Sequence, residues 1–242
     1  MKKILSILCV ALLFTTSFSA IAKTEITISL SKRADDKDVR NFNGVAAGGP
    51  INVVITLGNT ESCRLEGDAE ALETLITEVK GNVLIIRPQN SWKSWEKKYE
   101  NKKITAYVTA KSIKSLTMSG SGSMVVNGAV NSKDLSATLS GSGSIKATAD
   151  VDNFTGVISG SGNLTIAGKA DDASITLSGS GTFAGRGFSV NDLSTQVSGS
   201  GTVNIKADRK IDAVISGSGN VNYSGNASVD KTVVGSGKVR KI

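Results

Sequence analysis

The run LSATLSGSGSIKA, residues 135–147, decides how this chain folds. Leu135, Ala137 and Leu139 alternate with Ser136, Thr138 and Ser140, pass through Gly141-Ser142-Gly143, and resume as Ile145 and Ala147. Such strict alternation sends one set of side chains to each face of a strand. Ser-Gly-Ser-Gly recurs from Ser119, Ser140, Ser159, Ser178, Ser198 and Ser216, and Val234-Gly235-Ser236-Gly237 is a degenerate seventh copy. The steps between copies are 21, 19, 19, 20, 18 and 18 residues. A fixed period of about 20 residues marks a repeat architecture in which each unit buries its apolar face against its neighbours.

Aligned on the motif, the preceding residues are Met118, Leu139, Ile158, Leu177, Val197, Ile215 and Val233. Behind the motif stand Met124, Ile145, Leu164, Phe183, Val203, Val221 and Val239. If the chain coils, equivalent residues stack at about 4.8 Å, the spacing of neighbouring strands. Apolar columns then close a continuous interior and the Ser/Thr columns form ladders outside. The motif glycines share the inward parity, where a methyl group would crowd the corner of a narrow coil. Glycine also takes the positive φ of a tight turn. Two strands flank each motif, and a shorter third is expected near Ala149–Asn153. The expected class is all-β: a right-handed parallel β-solenoid, a three-sided β-helix with coils of about 19 residues. Asn153, Asn163, Asn191, Asn220, Asn222 and Asn226 are expected to stack between coils or form turns.

Ahead of the repeat, Lys2-Lys3, the apolar run Ile4 to Phe14 and the small residues ending in Ala20-Ile21-Ala22 read as a signal peptide over residues 1–22. The run is shorter than the ~20 residues a spanning helix needs, and no later segment of the mature chain is long and apolar enough to span. Export places the protein in the periplasm, at the outer-membrane surface or outside a Gram-negative cell. Residues 23–41 would form an N-terminal strand and capping segment, including the alternating run Glu25–Leu30, with the solenoid over 42–242. After cleavage Cys63 is the only cysteine, so no intramolecular disulfide can form, and it reads as a small buried hydrophobe. The chain has no histidine to activate it as a nucleophile.

The formal net charge is +7, and residues 87–114 concentrate the excess with eight basic and two acidic side chains. One basic segment suggests a local contact with anionic material; for an exported protein that material is an envelope polymer and not nucleic acid.

Upstream, Phe42-Asn43-Gly44-Val45-Ala46-Ala47-Gly48-Gly49-Pro50 and Ile51–Ile55 read as a first coil with a degenerate glycine corner. Asp68–Thr77 is expected to hold a helical turn with Asp68 as its N-cap. Val83–Ile86 and Ile104–Val108 read as strands, and Pro88–Lys103 is the longest departure from the coil. From Phe42-Asn43-Gly44 through Gly67-Asp68, Glu78-Val79-Lys80-Gly81-Asn82-Val83-Leu84-Ile85-Ile86 and into the repeats, the chain resembles the putative auto-transporter adhesin, head GIN domain family. The resemblance runs from about Phe42 to the C-terminus. It implies a parallel β-solenoid and adhesive or envelope work, and it brings no catalytic or ligand residues to carry over.

Three function classes fit the residues. A binding module finds its best local feature in Ser91–Lys103, where Trp92, Trp95 and Tyr99 interleave with lysines. Aromatic faces stack on sugars and lysines attract phosphate, sulfate or uronate. The candidate ligand residues are Trp92, Trp95, Lys97, Lys98 and Tyr99, with a glycan or an anionic envelope polymer as partner. The same spacing, i, i+3, i+7, also fits one helical face packed on the solenoid. A polysaccharide-active enzyme needs paired carboxylates around a cleft. Here the acids fall singly in turns, with Asp171-Asp172 as the one adjacent pair in the solenoid, so no catalytic residue, metal ligand or cofactor is assigned. A structural, surface-ordering role would use ladders such as Ser136, Thr138, Ser140, Ser142 and Ser144 directly. The expectation is a non-catalytic, adhesin-like binding module.

Overall fold

A computed structural model describes residues 32–90, 92–99 and 102–242. The signal peptide expected over residues 1–22 and the strand expected at Glu25–Leu30 lie outside the described residues.

The N-terminal third contributes short elements: β1 (Lys32–Lys37), β2 (Gly44–Gly48), β3 (Asn52–Leu57), β4 (Ser62–Asp68), α1 (Ala69–Glu73), β5 (Leu75–Lys80), β6 (Val83–Pro88), α2 (Trp92–Lys98), β7 (Thr105–Ala110) and β8 (Ser115–Gly120). The repeats follow as β9 (Ser123–Gly141), β10 (Ser144–Gly160), β11 (Asn163–Gly179), β12 (Thr182–Gly199) and β13 (Thr202–Gly217). The last turn is split into β14 (Asn220–Ser224), β15 (Ser228–Gly235) and β16 (Lys238–Lys241). The chain is nearly all-β, and its parallel coils of about 19 residues stack into a β-solenoid of about seven turns.

The columns expected from the sequence are the observed register. β10 pairs β11 in parallel from Ser144↔Asn163 to Gly160↔Gly179, so each motif lies on the next. Along β10 the buried positions are Ile145, Ala147, Ala149 and Val151; the alternation then slips at Asp152-Asn153 and resumes at Phe154. That slip is a corner. The backbone ladder continues through it, and within these coils the strand is interrupted only at the motif.

The two motif glycines do different jobs. The first, Gly160 for example, sits at φ 119°, a conformation that L side chains rarely enter. The second, Gly162, points inward, and a Cβ there would lie 2.6 Å from the Gly143 carbonyl oxygen of the preceding coil.

Size compensation fills the interior. Phe154, Phe183 and Phe188 meet at centroid distances of 5.2 to 6.5 Å. The Phe154 ring occupies the space beside Gly156, where a Cβ would stand 3.0 Å from the ring edge. This is why a glycine interrupts an otherwise apolar column. Thr195 is a polar member of that column, and its buried Oγ1 donates to the Ile175 carbonyl at 3.2 Å. The buried hydroxyl is thereby satisfied.

The N-terminal coils do not stack in chain order. β2 pairs β8 on one side and β6 on the other, while β3 lies between β7 and β9. The coil formed by β2 and β3 is therefore inner, and the later β6–β7 coil is laid outside it before the chain returns at β8. Antiparallel strands then close this end: β5 pairs β6, and β4 joins β7 to β1. β1 reads KRADDK, and a strand so charged resists further edge pairing. Asp68 caps α1 as expected, its carboxylate accepting from the Ala71 N–H at 3.2 Å.

Candidate binding surface

α2 lies in the departure between β6 and β7 and carries the residues singled out from sequence. Trp95 and Tyr99 are 5% and 4% exposed. Their rings touch each other at 5.0 Å, and the indole Nε1 of Trp95 donates to Thr74 Oγ1 at 2.7 Å. The Tyr99 hydroxyl donates to Glu70 at 3.3 Å, and Lys98 Nζ reaches the same carboxylate oxygen at 2.7 Å. Trp92 opens α2, and its side chain lies outside the described residues. Lys97 is exposed, with no ion-pair or hydrogen-bond partner among the described residues. The helical spacing thus assembles a packing face for Trp95 and Tyr99, and α2 offers Lys97 to solvent.

The charges around α2 are tied to the layer beneath it. Lys98 hydrogen-bonds to Glu70 and holds that carboxyl below its ordinary range, while Glu70 in return holds the Lys98 ammonium protonated above the usual lysine range. Lys102 does the same for Asp68 at 2.7 Å, helped by the Ala71 N–H. Lys111 lies 3.7 Å from Glu61. Three of the eight basic side chains of this segment, Lys98, Lys102 and Lys111, are thus paired with acids of α1 and its surroundings, a pairing that residue spacing did not disclose.

A second surface is defined by what it lacks. On the side of the coil that leads into the motif, the outward positions form three columns in register. Ser115, Ser136, Thr155, Ser174 and Ser194 make the first; Thr117, Thr138, Val157, Thr176 and Gln196 the second; Ser119, Ser140, Ser159, Ser178 and Ser198 the third. None of these fifteen positions is charged, although 20% of the chain is. Thirteen carry hydroxyls, and none of those hydroxyls has a hydrogen-bond partner among the described residues. Rows repeat at about 4.8 Å and outward columns at about 6.7 Å. The surface is a lattice of free donors and acceptors without a fixed electric field. From the sequence these rows were readable singly as ladders; their shared neutrality emerges only once the register is known.

Side-chain amides bridge neighbouring coils. Asn153 donates to Asp134 at 2.9 Å, Asn191 to Asp171 at 3.2 Å and Asn222 to Asn204 at 3.1 Å. These are the stacked amides expected of Asn153, Asn191 and Asn222. Among the described residues, no helix is long and apolar enough to cross a membrane.

The family described as "Putative auto-transporter adhesin, head GIN domain" matches residues 41–227. No curated protein matches the sequence. Solved structures share the fold. A putative adhesin from Bacteroides fragilis superposes with a TM-score of 0.78 at 20% identity, covering 88% of this chain and 98% of its own. A putative lipid binding protein from Parabacteroides distasonis gives 0.69 at 20% identity over 87% and 96%. A putative adhesin from Parabacteroides merdae gives 0.60 at 19% identity over 87% and 95%.

Proposed function

We propose, from the premise that this chain belongs to the putative auto-transporter adhesin, head GIN domain family, that it is an exported, non-catalytic surface protein that binds a hydroxyl-rich glycan of the envelope. The observation that carries this reading is the neutral lattice of fifteen outward positions. Sugar hydroxyls need groups that both donate and accept, and Ser and Thr hydroxyls do both. A flat, regular array engages many sugars weakly and at once, and multivalent contact of that kind suits adhesion.

A glycan array probed with the full mature chain tests this. Binding to neutral glycans is expected, and the double variant Thr138→Lys, Thr176→Lys should abolish it, because both side chains stand in the middle column. The substitutions are on outward positions and leave the core unchanged. Unaltered binding by the double variant would sink the reading.

A further inference from the structure

Beside the neutral lattice runs a groove of about 410 Å3. Its two ridges are columns from β10 to β13: Asn153, Asp172, Asp192 and Lys210 on one side, and Thr155, Ser174, Ser194 and Asp212 on the other. The second ridge begins as the first column of the lattice, so the two surfaces are continuous. The inward column between the ridges is Phe154, Ala173 and Leu193, exposed by 1, 4 and 2%. Four coils give the groove a length of about 14 Å along the solenoid axis.

Most of its charges are already satisfied. Asn153 donates to Asp134 at 2.9 Å, Arg209 grips Asp192 through two hydrogen bonds, and Lys210 lies 3.0 Å from Asp212. Asp172 is different. Its carboxylate makes no hydrogen bond or ion pair among the described residues, though the charge of Arg209, held by Asp192, attracts it from a distance. The hydroxyls of Thr155, Ser174 and Ser194 have no hydrogen-bond partner there either. What remains free in the groove is one carboxylate and a row of hydroxyls.

We infer that this groove seats one chain of an uncharged glycan lying along the solenoid axis, with Asp172 accepting hydrogen bonds from sugar hydroxyls. An ionised carboxylate accepts and cannot donate, and its bonds to neutral donors are the strong, charge-assisted kind. A phosphate, sulfate or uronate would face Asp172 without a free cation to answer it. A lipid tail would find no exposed apolar side chain to pack on, because the three between the ridges are buried. A chain of sugars, by contrast, presents hydroxyls at a step comparable to one coil. The inference rests on the glycan reading above and names where, and in which direction, the chain is held.

Isothermal titration of the full mature chain with cellohexaose, xylohexaose, mannohexaose and laminarihexaose, and with hexagalacturonic acid as the anionic probe, tests it. At least one neutral hexasaccharide should bind, with the same affinity in EDTA. Asp172→Lys should weaken that binding at least tenfold. Asp152→Lys, the same charge change one coil away and outside the groove, should leave it within twofold. Thermal melts of both variants establish that they fold. Binding that survives Asp172→Lys but is lost in Thr138→Lys, Thr176→Lys overturns the groove and spares the lattice. Preference for hexagalacturonic acid, or loss of binding in EDTA, overturns direct acceptance by Asp172. Failure of every probe to bind overturns both readings.

Discussion

The indole Nε1 of Trp95 donates to Thr74 Oγ1 at 2.7 Å, and the same hydroxyl donates to the Ala71 carbonyl at 2.7 Å. One threonine at the end of α1 thus relays between α2 and the helix beneath it. Replacing Thr74 by Val keeps the volume and removes both bonds, leaving a buried N–H without a partner. Such an orphan costs about 1–3 kcal/mol. Urea titration followed by tryptophan fluorescence should show that loss of stability. A Trp95→Ala variant should lose more, about 3–5 kcal/mol, because it also empties the space the ring fills. If Thr74→Val is neutral, the relay contributes nothing to docking.

This contact marks the limit of what residue spacing discloses. The period of the motif sets the columns, and columns set the register, because coils of nearly equal length stack motif on motif and take up the odd residue as a bulge. Asp68 was readable as a cap since its chemistry is local. The partners of Trp95 and Tyr99 were not, because Thr74 and Glu70 come from an irregular segment with no repeat to align. The reversed order of the N-terminal coils was hidden for a related reason. β2, β6 and β8 are all short apolar strands, and composition does not say which of two neighbours a strand lies beside. The neutral lattice falls between these cases, written in the sequence but visible as a surface only after the coils are placed in register.

The motif glycines predict an asymmetric mutational response. Gly160 has φ 119°, and a Cβ there would meet the Gly141 carbonyl oxygen at 2.5 Å. Gly160→Ala combines an adverse backbone conformation, of order 1–3 kcal/mol, with a clash against the neighbouring coil. Gly187 has an ordinary φ, and its added Cβ would meet only the Ala167 Cβ at 3.7 Å. Gly187→Ala should therefore be neutral or slightly stabilising by reducing the freedom of the unfolded chain. Thermal melts of the two variants should separate clearly. Equal melting temperatures would contradict the close coil packing at the motif.

Cys63 is 1% exposed, and burial pushes its thiol up to about 12. The thiolate is the reactive form, so both access and ionisation protect it. A disulfide exchange reagent at pH 8 should leave the native protein unmodified and label it completely in denaturing urea. The rate of labelling at intermediate urea would report opening of the β4 region. Rapid stoichiometric labelling of the native state would contradict the burial of Cys63 in β4.

The ion pairs under α2 give its docking a defined dependence on pH. Lys98 and Lys102 lower the carboxyls of Glu70 and Asp68 in the folded state. A carboxyl lowered on folding contributes stability that is fully present above its unfolded value. That contribution is lost as pH falls through the lower, folded value. Unfolded Asp and Glu titrate at about 4, so docking should hold near neutrality and weaken on acidification below about pH 4. Lys98 acts with the opposite sign: its pKa is raised, so its share is lost only as pH rises above the lysine range. Fluorescence of Trp95 in a Trp92→Phe background should follow the acid limb. Asp68→Asn keeps a good N-cap but removes one titrating charge, and with Glu70→Gln it should flatten the acid dependence while weakening docking at pH 7. High salt should reproduce part of that weakening, because the Lys98–Glu70 pair is exposed to solvent. An acid limb that persists unchanged in the double variant would assign it to other groups.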